Sequence, residues 1–200
     1  MATVFQNIMA NAARKGITNQ YTQDSIKWFR VNIRKTAVSP LRVIREEKDN
    51  YVSSWSNVAI GKMYLAYYDP KHKETLPYYD TFPLIIPIKR YPDGFLGLNL
   101  HYLPPTLRAQ LLDSLYDLLN NTKIDERKRF VISYNILNSA SKHRYFQPCV
   151  KRYLGRHFRS RFVMIPHQNW TAAVFLPVES FEKASKTEVW ADSRQMLSRR

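Results

Sequence analysis

The sequence predicts an α+β protein, in which a small, curved antiparallel β-sheet, SH3-like or closed into a barrel, carries flanking helices. Three observations support this. Residues 61–103 hold nine aromatic side chains in short apolar stretches punctuated by Pro and Gly, which is the pattern of strands and turns. The segments before position 50 and after Pro104 instead repeat their apolar residues every three or four positions, as amphipathic helices do. No internal repeat, low-complexity linker or sharp shift of composition divides the chain. The expected organisation is a basic helical arm over residues 1–50, one α+β core over 51–185, and a tail or short helix over 186–200.

Taken in order, Thr3 to Lys15 has helical spacing, with Val4, Phe5, Ile8 and Met9 on one side and Gly16 placed to cap its end. A second helix is expected from Thr22, with Asp24 in its first turn and Ile26, Phe29 and Ile33 on its buried stripe. Ser39-Pro40 starts a third, serine as cap and proline at the first helical position. Val52 to Ile60, around Trp55, reads as a connection into the sheet.

In the sheet, Met63, Leu65 and Tyr67 alternate with Tyr64, Ala66 and Tyr68, giving a strand with two unlike faces. The run Phe82 to Ile88 is a second strand. Its prolines at 83 and 87 have no N–H for a ladder, so it is expected to be an edge, or bulged or broken there. Pro92-Asp93-Gly94 turns the chain, and Phe95, Leu98, Leu100 and Tyr102 carry it back. From Pro104 onward Leu107, Leu111, Leu115 and Leu118 line a helix, with Arg108, Gln110, Asp113 and Asp117 directed to solvent and Asn120-Asn121 at its end. A strand over Arg129 to Leu137 follows, then a basic helix from Lys142 to Phe158 broken at Pro148. Phe162 to Ile165 and Thr171 to Val178 read as a closing hairpin, and Glu188 to Arg200 as a short polar helix or tail.

Net charge is the main clue to partners. The chain carries a formal +15 with pI near 10.0, which implies an acidic partner: nucleic acid, an acidic protein surface or an anionic membrane. No apolar run is long enough to span a bilayer, and no signal-peptide core precedes position 20, so a membrane is the least favoured of these. A single cysteine, Cys149, excludes an intramolecular disulfide framework and fits a reducing compartment. Residues 1–48 hold nine cations against three acids, and residues 127–178 hold ten cations and no acid.

That second stretch interleaves Tyr145, Phe146, Tyr153 and Phe158 with its cations, a composition suited to phosphates and stacked bases. The alternative is that the rings are core and the cations a solvated face. The expected DNA-binding residues are Arg30, Arg34 and Lys35 of the arm together with Arg127, Lys128, Arg129, Lys142, Arg144, Lys151, Arg152, Arg156, Arg159 and Arg161. No zinc-finger spacing, RNA-recognition signature or helix-turn-helix is present, so contact is expected with the backbone rather than base edges.

Catalytic patterns are weak. Five scattered glycines form neither a phosphate loop nor a dinucleotide fingerprint, and the five histidines have no metal-ligand spacing with Cys149. No cofactor or metal is expected. Pro92-Asp93 with Glu126-Arg127-Lys128 superficially matches the PD…ExK pattern of metal-dependent nucleases, in which two carboxylates hold Mg²⁺. Here Asp93 sits in a turn, and a leucine-rich helix intervenes.

The segment GKMYLAYYDPKHKETLPYYDTFPLIIPIKRYPDGFLGLNLHYLPP resembles one found in virion-associated proteins of T-even-type contractile-tailed phages, the DNA end protectors. It covers the middle quarter of the chain and leads into the helix after it. The resemblance implies a non-enzymatic virion protein, made in the host bacterial cytoplasm, that shields the termini of packaged DNA from exonuclease. It implies DNA and other virion proteins as partners within a multi-subunit assembly, and it transfers no individual site residue. The competing expectation is a neck, tail or baseplate subunit whose cations meet protein; a metal-dependent nuclease is third.

Overall fold

Both faces of the central sheet are buried, and the alternation in its second strand shows how. The computed structural model describes residues 2–19, 22–119 and 144–198. Strand β1 is Tyr51–Val52, β2 Met63–Leu65, β3 Tyr79–Asp80, β4 Leu84–Tyr91, β5 Gly94–Asn99, β6 Val150–Leu154, β7 Phe162–Ile165 and β8 Phe181–Glu182. Six of them form one antiparallel sheet in the order β1-β7-β2-β4-β5-β6, and β3 and β8 form a separate ribbon. Met63 and Leu65 enter the main core. Tyr64 and Ala66, followed by Tyr68, enter a second, aromatic core on the other face.

The helices are α1 (Val4–Arg14), α2 (Gln23–Asn32), α3 (Pro40–Glu46), α4 (Pro105–Leu119), α5 (Trp170–Phe175) and α6 (Lys186–Ser198). The expected start signals work as read. Thr3 and Gln6 form a capping box, Thr22 accepts from the Ser25 N–H, and Ser39 accepts from the Arg42 N–H with Pro40 behind it. A further orphan donor of α1, the Phe5 N–H, is satisfied by the buried Glu47 carboxylate at 3.0 Å, which ties α1 to the end of α3. Gly16 ends α1 at φ +80°, a conformation that a β-carbon disfavours. Val4, Phe5, Ile26, Phe29 and Val43 of the three N-terminal helices share the main core with the sheet.

Several expectations need correction. The sheet is open: β1 and β6 are its two ends and pair with β7 and β5 only, so no barrel closes among the described residues. The proline-bearing strand β4 is interior, between β2 and β5, and so is not an edge, but it is bulged at a proline as the sequence allowed, with a register shift between Pro87 and Lys89, and Pro83 precedes the strand. Pro87 is tolerated there because its carbonyl accepts from the Gly61 N–H at 2.8 Å. Its nitrogen therefore faces the same side, beyond the start of β2, where no ladder bond is required.

Where it is described, the basic segment from 142 to 158 is not an α-helix broken at Pro148. Residues Arg144–Cys149 form a 3₁₀ helix, Val150–Leu154 is strand β6, and Gly155–His157 is a second 3₁₀ turn. β5 would otherwise be an open edge, and β6 pairs along it from Gly94↔Leu154 to Leu98↔Val150. The expected closing hairpin is half right: β7 forms, but Trp170–Phe175 is a helix buried on every side. A short run that is apolar all round has no periodicity to separate the two states.

Arg108, expected at the surface of α4, is 1% exposed. Its guanidinium donates to the carbonyls of Leu103 at 2.7 Å, Val174 at 3.0 Å and His101 at 3.1 Å, and pairs with Glu179 at 2.7 Å. The strand expected over Arg129 to Leu137 lies outside the described residues.

Candidate nucleic-acid interface

Among the described residues strand β6 is one of the two edges of the six-stranded sheet, and its sequence VKRYL loads that edge with cations. Tyr153 turns into the aromatic core, its ring 4.9 Å from Tyr68 and 5.5 Å from Phe95. Lys151 lies with its ammonium 3.9 Å from the centre of the Tyr102 ring. Lys151 is largely buried, and desolvation lowers the pKa of its ammonium. It forms no ion pair among the described residues. Arg152 stacks over Tyr91 at 4.3 Å and pairs with Asp93 of the β4–β5 turn.

After β6 the chain turns sharply at Gly155. A β-carbon there would lie 2.2 Å from the Trp55 indole, so only glycine permits the contact. The turn presents Arg156 to solvent, also without an ion pair among the described residues.

Opposite this edge stands the loop from Asp69 to Pro77. The Asp69 N–H donates to the His157 carbonyl at 3.0 Å, and the Lys183 ammonium gathers the carbonyls of Lys73, Glu74 and Leu76 at 2.6, 2.9 and 3.2 Å. Between loop and edge lies a cleft of about 400 Å³ lined by, among others, Tyr78, Tyr79 and Tyr102 and the cations Lys71, Lys151 and Arg152. A second cavity of about 320 Å³, lined by Trp55, Asp93 and Arg156, shares Lys71 and Leu154 with the first. The two form one aromatic and basic groove along the edge strand. A third, of about 60 Å³ beside Arg108 and Glu179, is too small for a nucleotide.

Asp80 sits at the inner end of the cleft with its charge already engaged. It accepts from the Phe82 N–H at 3.0 Å and from Asn99 Nδ2 at 3.0 Å, and is hydrogen-bonded to His101 Nδ1 across 2.8 Å.

Of the expected DNA-binding residues, Lys151, Arg152 and Arg156 come together at this groove. Arg159 lies close by but is paired with Asp69 at 3.1 Å. Arg161 stacks on Tyr51, 5.4 Å from its ring centre, at the opposite end of the sheet. Arg30 is half-buried on α2, and Arg34 and Lys35 are exposed on the 3₁₀ turn that follows it, in the helical layer. Arg127, Lys128, Arg129 and Lys142 lie outside the described residues, as do the side chain of Arg144 and Glu126 of the nuclease-like pattern. Asp93, its other carboxylate, is taken up by Arg152.

Two rings expected to stack on bases, Tyr153 and Phe158, are instead part of the aromatic core. Cys149 is fully buried, and its thiol is pushed up to about 12 by desolvation, which makes it a packing residue and not a nucleophile.

Sequence reasoning missed the opposite wall: Lys71, Tyr78 and Tyr79, with Trp55 in the adjoining cavity. The signal was the Lys71-His72-Lys73 run following Asp69-Pro70, a basic loop inside an otherwise aromatic stretch.

A protein-family model described as Phage T4 terminal DNA protecting protein matches residues 2–196. No curated protein and no solved structure matches the chain. Among the described residues no helix is long and apolar enough to cross a membrane.

Proposed function

The chain belongs to the phage T4 terminal DNA protecting protein family, whose members protect DNA and are not enzymes, and from that premise we propose a phage particle protein that binds the DNA backbone at genome ends. It acts at the head or neck, alongside other virion proteins, and blocks an exonuclease by occupying the terminus. One observation supports this reading above the others. Lys71, Lys151 and Arg156 line a single groove, and none of them has an ion pair among the described residues. Cations held this way, against aromatic walls, favour an external polyanion, and phosphates are the anion that the family's description implies. Protection then needs no bond making: the gain is release of counterions from DNA, and the block is steric.

Binding of a linear duplex, followed by fluorescence anisotropy across salt, tests the reading. With five phosphate contacts, affinity is expected to fall about 500-fold between 50 and 200 mM salt. Linear DNA carrying the protein should also resist exonuclease. Failure to retain DNA at low salt overturns the proposal in favour of a neck, tail or baseplate subunit whose cations meet acidic protein.

A further inference from the structure

We propose that the cleft between β6 and the 69–77 loop seats the terminal nucleotide of one DNA strand, so that the protein caps an end instead of merely coating the duplex. The inference rests on the DNA-protecting reading above and adds the chemical unit that is recognised.

The first support is size and lining. A cavity of about 400 Å³ is in the range of small-molecule sites, about 300–1,000 Å³, and holds one nucleotide but not a base pair with its flanking helix. Tyr78 and Tyr79 are half-exposed at its wall, offering ring faces to a base, while Tyr102 forms a deeper surface.

The second is the placement of charge. Lys71 stands where the two cavities meet, and Arg156 lines the outer one. A chain whose last base is inside the cleft would run its phosphates outward past both. Lys151, over Tyr102, is a largely desolvated ammonium with no ion pair among the described residues, which a nearby phosphate would neutralise. The one carboxylate lining the cleft among the described residues, Asp80, has its oxygens committed to Phe82, Asn99 and His101.

The third is energetic, and it explains why an end would be chosen. Extruding a base from inside a duplex breaks stacking on both sides and costs a few kcal/mol, whereas a terminal base has one stacking neighbour and frays. An unpaired or frayed end therefore fills the cleft at the smallest cost. Selectivity for termini follows with no readout of sequence.

The experiment uses the full chain and two competitors of identical sequence: an open-ended duplex, and the same duplex closed by hairpin loops at both ends. Internally labelled DNA serves as the probe. The expected result is a preference of about tenfold or more for open ends. In His72→Ala/Tyr79→Ala, two cleft-lining positions outside both hydrophobic cores and apart from the cations assigned to the backbone, that preference disappears while affinity for the closed duplex stays within about twofold. Free dAMP should raise the melting temperature of the wild type and not of the double variant. Arg34→Ala, outside the cleft, should keep the preference.

Equal binding of open and closed DNA by the wild type sinks the cleft proposal and leaves backbone binding standing. So does an end preference that survives in the double variant. Absence of binding to either DNA overturns both readings. Should the double variant fold poorly, Lys151→Met, which retains an apolar stem against Tyr102, reads out the same preference.

Discussion

Arg108 is the residue whose surroundings differ most from its sequence context. It joins α4 to the carbonyl end of α5 and to the turn before α4, with the Trp190 ring of α6 5.3 Å away and the Trp190 indole N–H on the same His101 carbonyl. Removing one member of a buried ion pair strands the other. Arg108→Met is therefore expected to cost about 3–5 kcal/mol, and the Arg108→Met/Glu179→Met double variant less than the single change, as measured by urea unfolding.

The pair also sets an acid limit. Burial alone would raise the Glu179 carboxyl, but Arg108, His101 and hydrogen bonds outweigh it and hold it below its ordinary value of 4.5. Because the folded-state value is depressed, its stabilisation is complete above the unfolded value and is lost as pH falls through the folded one. Wild-type stability should therefore decline more steeply than that of Glu179→Gln below about pH 5. Parallel declines would show that the carboxylate contributes nothing to folding.

At the level of elements, the edge strand β6 and the turn after it decide whether the groove exists. Gly155 lets the Trp55 indole lie directly on the backbone, with Phe158 then packing on Phe162 at 4.4 Å between centroids. Gly155→Ala is expected to destabilise by about 1–3 kcal/mol, the usual cost of overpacking. Adding Trp55→Leu should recover part of that loss. Thermal unfolding of the single and double variants measures both, and equal stability of Gly155→Ala and wild type would contradict the close approach. Edge strands are liabilities unless charged or covered. Lys151 and Arg152 supply the charge here, so the residues assigned to DNA contact also guard against strand-to-strand association.

For the whole molecule, a charge of +15 does not act uniformly. Arg152 and Arg159 are answered by Asp93 and Asp69, while Arg156 is not answered among the described residues. Arg156→Ala should lower the magnitude of the salt slope of DNA binding by about one. Asp93→Asn should act the other way, since it releases Arg152 and keeps a residue suited to the turn. The exposed pair it breaks is worth only about 0–1 kcal/mol, so folding should be unaffected. Anisotropy titrations at several salt concentrations distinguish the two, and an unchanged slope in both would place the phosphate contacts elsewhere.

What the amino-acid order determined by itself is whatever closes within a few residues. The caps at Thr3, Thr22 and Ser39-Pro40 and the turn at Pro92-Asp93-Gly94 make their bonds three or four positions away, and all were legible. The face alternation of Met63 to Tyr68 and the excess positive charge were legible for the same reason. Tertiary structure alone decided that residues 150–154 are a strand, that 170–175 is a helix, that Arg108 is buried, and that Lys71 faces β6. Each depends on a partner tens of residues distant, as Arg108 depends on the Val174 carbonyl 66 positions along. Local propensity has no access to such contacts: their energy exists only once the chain has folded back on itself, and there it outweighs the few tenths of a kcal/mol per residue that separate helix from strand.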